Sequence, residues 1–288
     1  MNFVRYRKPA FIFSAVMVAL SIISLLYPGL NLGVDFTGGT LLERRTEQNV
    51  TTEQVRRILD DAIPEVDLSG AVVQLLDQPN EFMVRTRPLD NAEIIRIDQA
   101  FAGHFGSLVE LKTDVVGPVI GKELVRNAII AIAVSALGIL AYISWRFEYR
   151  FAAVAVVCLL HDVLIVLGFF ALMGREVNSP FVAAVLTVLG YSINNTIVVF
   201  DRIRENMRLK KKQGYEVLVN SSLNQTLARS INTSITTLLV IVMLVIFGGS
   251  AIGDFAMALL IGVLFGTYSS LFVAGPLWMT WMERKKVR

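Results

Sequence analysis

Three short stretches place polar and ionisable side chains inside long apolar runs. LLHDVLI carries His161 and Asp162. GYSINNTIVVFDRIREN, over 190–206, carries Asn194 and Asn195 and ends on Asp201 and Arg202. ARSINTSITT opens with Arg229 just inside its start. A carboxylate beside an imidazole can hold and pass a proton. Amides and hydroxyls donate and accept hydrogen bonds but do not titrate. A carboxylate in hydrocarbon is costly to ionise, so Asp162 is expected to be neutral or paired. An ionisable group near the bilayer midplane is a candidate for proton or ion coupling. The spacing is helical: Thr187, Tyr191, Asn194, Val198 and Asp201 form one stripe, and Ser192, Asn195, Val199 and Arg202 the adjacent one. Arg229, Asn232, Thr233, Thr236 and Thr237 continue along a third helix. The polar stripes can thus face one another. A second reading fits Asn194 and the threonines equally, as hydrogen-bonding glue between membrane helices. Arg229 fits snorkelling to the membrane surface.

Six apolar runs must position these groups, near 10–27, 127–145, 151–174, 177–200, 231–249 and 255–282. Mean hydropathy is +0.59 and only 18% of residues are charged, which excludes an ordinary soluble domain. Each run is long enough to cross about 30 Å of hydrocarbon as a helix, the form that satisfies its own backbone. The start resembles a signal peptide but has no small-residue cleavage site, and is expected to remain as the first helix. Arg5, Arg7, Lys8, Arg146, Arg150, the 201–229 loop with Lys210, Lys211 and Lys212, and the Arg284, Lys285, Lys286, Arg288 tail all fall on one side of a six-span map. By the positive-inside rule both termini are cytoplasmic, and the basic loop can also contact anionic lipid. Trp145, Trp278 and Trp281 are expected as interface anchors. Gly262, Gly266 and Ser270, spaced four apart, point to close helix packing. The single Cys158 permits no disulfide within the chain.

The expected domains are 1–27 (cytoplasmic N-terminus and first span), 28–124 (external) and 125–288 (five further spans with the basic cytoplasmic loop 201–229). The external segment holds sixteen acids against nine Lys and Arg. After a glycine turn, FTGGTLLERRT reads as a strand. TTEQVRRILDDAI reads as a helix capped by Thr52, AVVQLL and EFMVRT as a hairpin through DQPN, NAEIIRIDQAFAGHF as a second helix and SLVELKTDVV as a last strand. The order β-α-β-β-α-β predicts a ferredoxin-like α+β domain with both helices on one sheet face. GVDFTGGT has neither P-loop nor GxGxxG spacing and reads as a turn leaving the membrane. HExxH and GxSxG are absent from the sequence.

The chain resembles the SecF branch of the SecD/SecF family of protein-export subunits. The match is carried by NLGVDFTGGT at 31–40, VVGPVIGKEL at 115–124, LLHDVLIVLGFFAL at 159–172, GYSINNTIVVFDRIREN at 190–206 and SINTSITTLL at 230–239. A single six-span set points to the unfused subunit. The resemblance implies an α-helical membrane protein of six spans, similar to resistance-nodulation-division transporters, in the bacterial inner membrane. It implies pairing with SecD beside the SecYEG channel and YajC, with SecA supplying ATP hydrolysis. The external domains would engage the translocating polypeptide while the proton gradient drives their motion. It implies no enzymatic activity, no cofactor, no metal and no nucleic acid partner.

Residue by residue, the family motif in span 4 reads Ser-Ile/Leu-Asn-Asp-Thr. Here it reads Ser192-Ile193-Asn194-Asn195-Thr196, so Asn195 stands where the family has its proton-carrying Asp. Arg229, the His161-Asp162 pair and the Asp201-Arg202-Ile203-Arg204-Glu205 edge match. An amide cannot carry a proton. The carrier is then Asp162 or an acid of the SecD partner, or the coupling ion is altered or absent. Arg229, lacking a facing Asp, would turn to phosphate headgroups, Asp201 or a partner acid. Two other functions fit the architecture: a half-transporter for lipids or small hydrophobic molecules, and an uncoupled scaffold of the translocon. The GVDFTGGT and SINNTIVVFDRIREN matches argue against the half-transporter.

Overall fold

The computed structural model describes residues 1–76, 78–209 and 214–286. Asp77 of the DQPN turn, Lys210, Lys211, Lys212 and Arg288 lie outside the described residues, as do the side chains of Lys285 and Lys286. In chain order the elements are α1 (Arg7–Leu26), β1 (Asn31–Leu32), α2 (Val34–Thr37), β2 (Gly39–Thr46), α3 (Thr52–Ala62), β3 (Val72–Leu75), β4 (Glu81–Thr86), α4 (Asn91–Phe105), β5 (Leu108–Val116), α5 (Pro118–Arg146), α6 (Tyr149–Met173), β6 (Glu176–Val177), α7 (Ser179–Leu209), α8 (Tyr215–Phe247), α9 (Gly249–Tyr268) and α10 (Gly275–Lys286), with a π-helical segment, Ser269–Ala274, joining the last two. Two compact units result: Leu32–Ile129, and Met1–Asn31 together with Ile130–Arg288.

The Leu32–Ile129 unit is built on an antiparallel sheet of order β3-β4-β2-β5. This is the ferredoxin-like arrangement expected from the sequence. Helices α3 and α4 bury Val55, Leu59, Ile97 and Phe101 against Leu42, Phe82 and Val84 of the sheet. The Phe82 and Phe101 rings meet edge-on at 4.9 Å. The cap of α3 is Thr51, not Thr52. Thr51 Oγ1 accepts from Gln54 N at 3.3 Å, and Gln54 Oε1 accepts from Thr51 N at 3.0 Å. The reason is spacing: only Thr51 has a glutamine three residues on to complete a reciprocal capping box. Arg44, fully buried, donates to Asp98 of α4 at 2.8 and 3.0 Å and to the carbonyls of Glu43 and Lys112. Gly38 and Gly39 have φ of 73° and 132°, and a Cβ on Gly39 would lie 2.4 Å from the Thr86 carbonyl oxygen. The double glycine therefore lets β2 start directly against β4.

In the other unit and α5, six helices are long and apolar enough to cross a membrane: Val4–Leu26, Pro118–Arg146, Tyr149–Met173, Ser179–Leu209, Tyr215–Phe247 and Ile252–Arg284. The α+β domain lies between the first and second in the chain. Without a hydrophobic driving force between helices in lipid, close backbone approach must supply the packing. Glycines supply it here. A Cβ on Gly168 of α6 would sit 2.3 Å from Ser21 Cβ of α1, and one on Gly262 of α9 would sit 2.1 Å from Val188 Cγ2 of α7. The α7 and α9 contacts advance in step. Gly262 meets Val188, Gly266 meets Ser192, and Ser270 Oγ lies 3.0 Å from Thr196 Oγ1. Four-residue steps on both sides mean that α7 and the last span run parallel, ridge beside ridge. The anchor role fails for Trp278. It is 1% exposed, stacked on Phe151 at 4.7 Å and edge-on to Tyr215 at 5.8 Å. Its position on α10 turns it into the apolar core, whereas Trp145 and Trp281 are exposed.

Candidate functional site

Asp162 stands at the centre of a buried polar cluster made by α6, α7 and the last span. It is fully buried. Its Oδ1 lies 2.8 Å from His161 Nδ1. Its Oδ2 accepts from Ser192 Oγ of α7 at 2.5 Å and from Ser269 Oγ at 2.8 Å. Two features make room for it. Gly266 faces the cluster with no side chain, and a Cβ there would lie 3.2 Å from Ser192 Cβ and 3.6 Å from Asp162 Oδ2. Ser269 opens the π-helical segment, where one extra residue per turn alters which side chains face inward. Around it, Ser270 Oγ donates to the Gly266 carbonyl at 2.7 Å. Tyr268 Oη donates to the Ala10 carbonyl at 2.8 Å and lies 3.1 Å from Ser14 Oγ.

The arrangement suits a group that changes protonation. A serine hydroxyl donates to a carboxylate but can rotate and accept from a carboxylic acid, so Ser192 and Ser269 can satisfy Asp162 in both forms. His161 can follow the change through its tautomer. Its Nε2 is buried without a hydrogen-bond partner among the described residues, leaving one ring nitrogen uncommitted.

The other candidates do not all join this cluster. Asn195 is buried on the Ser192 face of α7, and its Nδ2 has no hydrogen-bond partner among the described residues. Asn194 is exposed, as is Thr187 two steps along the same stripe. On α8, Arg229, Asn232, Thr233 and Thr236 are exposed too. The threonine hydroxyls donate back into their own helix, Thr233 to Arg229 O and Thr236 to Asn232 O. The polar groups of the three helices, which the sequence allowed to face one another, do so only in part: Asp162 of α6 meets the Ser192 stripe of α7, and the α8 stripe does not join them. The Ser192–Asn195–Val199 stripe turns inward, while the Asn194 stripe and the Arg229 stripe turn to the outside of this chain. The reason is geometric: a helix 100° per residue apart cannot bury both of two adjacent amides against one neighbour. From the Asn194 stripe, Tyr191 bridges to α8, donating to Ser234 Oγ at 3.0 Å.

Asp201 and Arg202 form a separate surface edge. Asp201 pairs with Arg146 of α5 at 3.5 Å, not with Arg229. Arg202 donates to Gln225 at 2.7 Å and to Glu205 at 2.6 Å. The guanidinium of Arg229 makes no hydrogen bond or ion pair among the described residues. Sequence reasoning did not single out Ser269, and placed Ser192 in a stripe without a role. The signal lay in the glycine-to-serine ladder Gly262, Gly266, Ser270, whose neighbour Ser269 reaches the acid.

Fold and site together define a six-span membrane protein with a ferredoxin-like insertion after its first span and an acid-centred polar cluster within its bundle. Residues 97–284 match the family model for the protein export membrane protein SecD/SecF, C-terminal, and residues 23–50 match the SecD/SecF GG motif. The chain belongs to the SecD/SecF family of translocase subunits. It is 41% identical to protein translocase subunit SecDF of Bacillus subtilis over 99% of its own length and 38% of that protein. It is 44% identical to protein translocase subunit SecF of Vibrio alginolyticus, over 96% of this chain and 88% of that one. The crystal structure of SecDF, a translocon-associated membrane protein from Thermus thermophilus, superposes with a TM-score of 0.89 at 39% identity, covering 99% of this chain and 39% of that one. The chain thus spans about two fifths of the SecDF relatives and most of the SecF relatives it matches. The family motif Gly38-Gly39 is the pair whose backbone geometry starts β2, so the turn read from the sequence has this structural role as well.

Proposed function

We propose that this chain is an auxiliary subunit of a bacterial Sec protein translocase, pairing with a SecD-type partner to assist polypeptide export under the proton gradient. The observation that carries the reading is the exposed polar face of α7 and α8. Asn194, Arg229, Asn232, Thr233 and Thr236 line the outside of two spanning helices. The threonine hydroxyls are satisfied within their own helix, but the Asn194 and Asn232 amides and the Arg229 guanidinium are costly against lipid and would be satisfied against another polar helix. A partner presenting an acid to Arg229 would replace the charge that Asn195 does not supply. Family membership supports the export role, and the placement of Lys and Arg supports cytoplasmic termini and loop 201–229, with residues 28–124 outside. Within this chain the titratable element is Asp162 with His161, Ser192 and Ser269. A change in its protonation is relayed to α7 and the last span through those hydroxyls, and so biases their packing. SecYEG, YajC, SecA and the moving polypeptide are the remaining members of the proposed assembly.

The test is site-specific photocrosslinking from positions 194, 233 and 236 in cells, followed by purification of the chain. Adducts with a SecD subunit are expected at all three. Crosslinks to lipid alone, with no SecD copurifying, would contradict the reading.

A further inference from the structure

Where α5 and α7 end, Arg146, Asp201, Arg204, Glu205, Arg208 and Leu209 line a cavity of about 370 Å³. We propose that it binds the phosphate headgroup of an anionic phospholipid. Depth is the first argument. The 31 residues of α7 extend about 46 Å, while about 20 residues cross the hydrocarbon core. The last turns, Asp201–Leu209, therefore lie at headgroup level beside the end of α5 at Arg146. Charge is the second. The two acids of the cavity are already engaged: Asp201 by Arg146 at 3.5 Å, and Glu205 by Arg202 at 2.6 Å. Arg204 and Arg208 are left over. Arg204 has only a 3.3 Å contact to the Arg146 carbonyl, and Arg208 makes no hydrogen bond or ion pair among the described residues. They stand one helical turn apart on one face, where two cations repel unless an anion lies between them. The third argument is the rim. Leu209 is 72% exposed and Trp145, next to Arg146, is 84% exposed. Apolar and aromatic surface beside paired guanidinium groups fits a phosphodiester carrying acyl chains better than a free anion, because both parts of the lipid find a match. The proposal needs only the six spans and not the export role.

The chain is purified in detergent, delipidated, and titrated with phosphatidylglycerol, phosphatidylcholine or inorganic phosphate under native mass spectrometry. Wild type is expected to retain phosphatidylglycerol in preference to phosphatidylcholine, with inorganic phosphate failing to displace it. Arg204→Gln with Arg208→Gln should weaken retention about tenfold, and Arg208→Lys should keep most of it. Arg5→Gln with Lys8→Gln removes the same charge from exposed positions elsewhere and should change retention little. Thermal melting of each variant separates lost binding from lost folding. Equal retention by the Arg204/Arg208 variant and wild type, or no preference for the anionic lipid, overturns the proposal. Displacement by millimolar phosphate assigns the cavity to a soluble anion and overturns the lipid source.

Discussion

Ser192 Oγ of α7 lies 2.5 Å from Asp162 Oδ2 of α6, a hydrogen bond between two side chains that are both almost fully buried. This bond ties the acid-bearing helix to the helix that carries both amides. Ser269 completes the tie to the last span from the same oxygen. One carboxylate therefore registers three helices.

Ser192→Ala removes one of the two hydroxyl donors to that oxygen. Hydrogen bonds between membrane helices contribute about 0.6 to 1.7 kcal/mol, and this one is short and fully enclosed. A loss near the upper end, about 1.5 kcal/mol, is expected in reversible unfolding in mixed micelles. Ser269→Ala should cost about as much, and the double variant more than the sum, because after either single change the remaining hydroxyl still serves the shared oxygen, and only the double variant leaves it with neither donor.

Gly262 faces Val188 with no space for a side chain. Gly262→Ala should destabilise the bundle by about 1–3 kcal/mol through overpacking. Val188→Ala in that background should recover part of the loss, which the same unfolding assay reads. An additive double variant would mean that the two positions do not touch.

Asn195→Asp should be tolerated. The Asn195 Nδ2 makes no hydrogen bond among the described residues, so exchanging it for oxygen breaks none. Expression level and export rate near wild type are expected; a chain that no longer accumulates would contradict the site geometry.

In the α+β domain, Arg96 donates to Glu65, and this bond with the residue's own backbone holds the Glu65 carboxyl below the usual carboxylate range. The sign follows from linkage. A folded value below the unfolded one contributes stability above the unfolded value, and that contribution is lost as pH falls through the folded value. Both side chains are about half exposed, so the effect is small and screened by salt. The stability difference between wild type and Glu65→Gln should narrow as pH falls below the ordinary glutamate value of about 4.3, as read by hydrogen exchange of α4.

The fold was largely legible because its signals are long and repeated. Six apolar runs and the β-α-β-β-α-β alternation each rest on many residues. Side-chain partners were less so. Asn194 and Asn195 are adjacent and chemically identical, yet one is buried and the other exposed; a single helix rotation decides this, and hydropathy on both flanks is alike. Trp278 read as an interface anchor because it lies near the chain's basic end, but Phe151 and Tyr215, distant in sequence, enclose it. Ser269 escaped notice because an α-helical wheel misplaces residues in a π-helical turn. Asp162 was legible by itself, since an acid within an apolar run needs no partner to be conspicuous.

The most direct test of the coupling proposed for Asp162 is export of a secreted precursor, with and without a proton gradient, in cells carrying Asp162→Asn. This substitution keeps the shape and an acceptor for Ser192 and Ser269 but removes titration. With chain level and SecD copurification at wild-type values, the gradient-dependent part of export should disappear while the gradient-independent part persists. Full gradient-stimulated export by that variant would contradict the account.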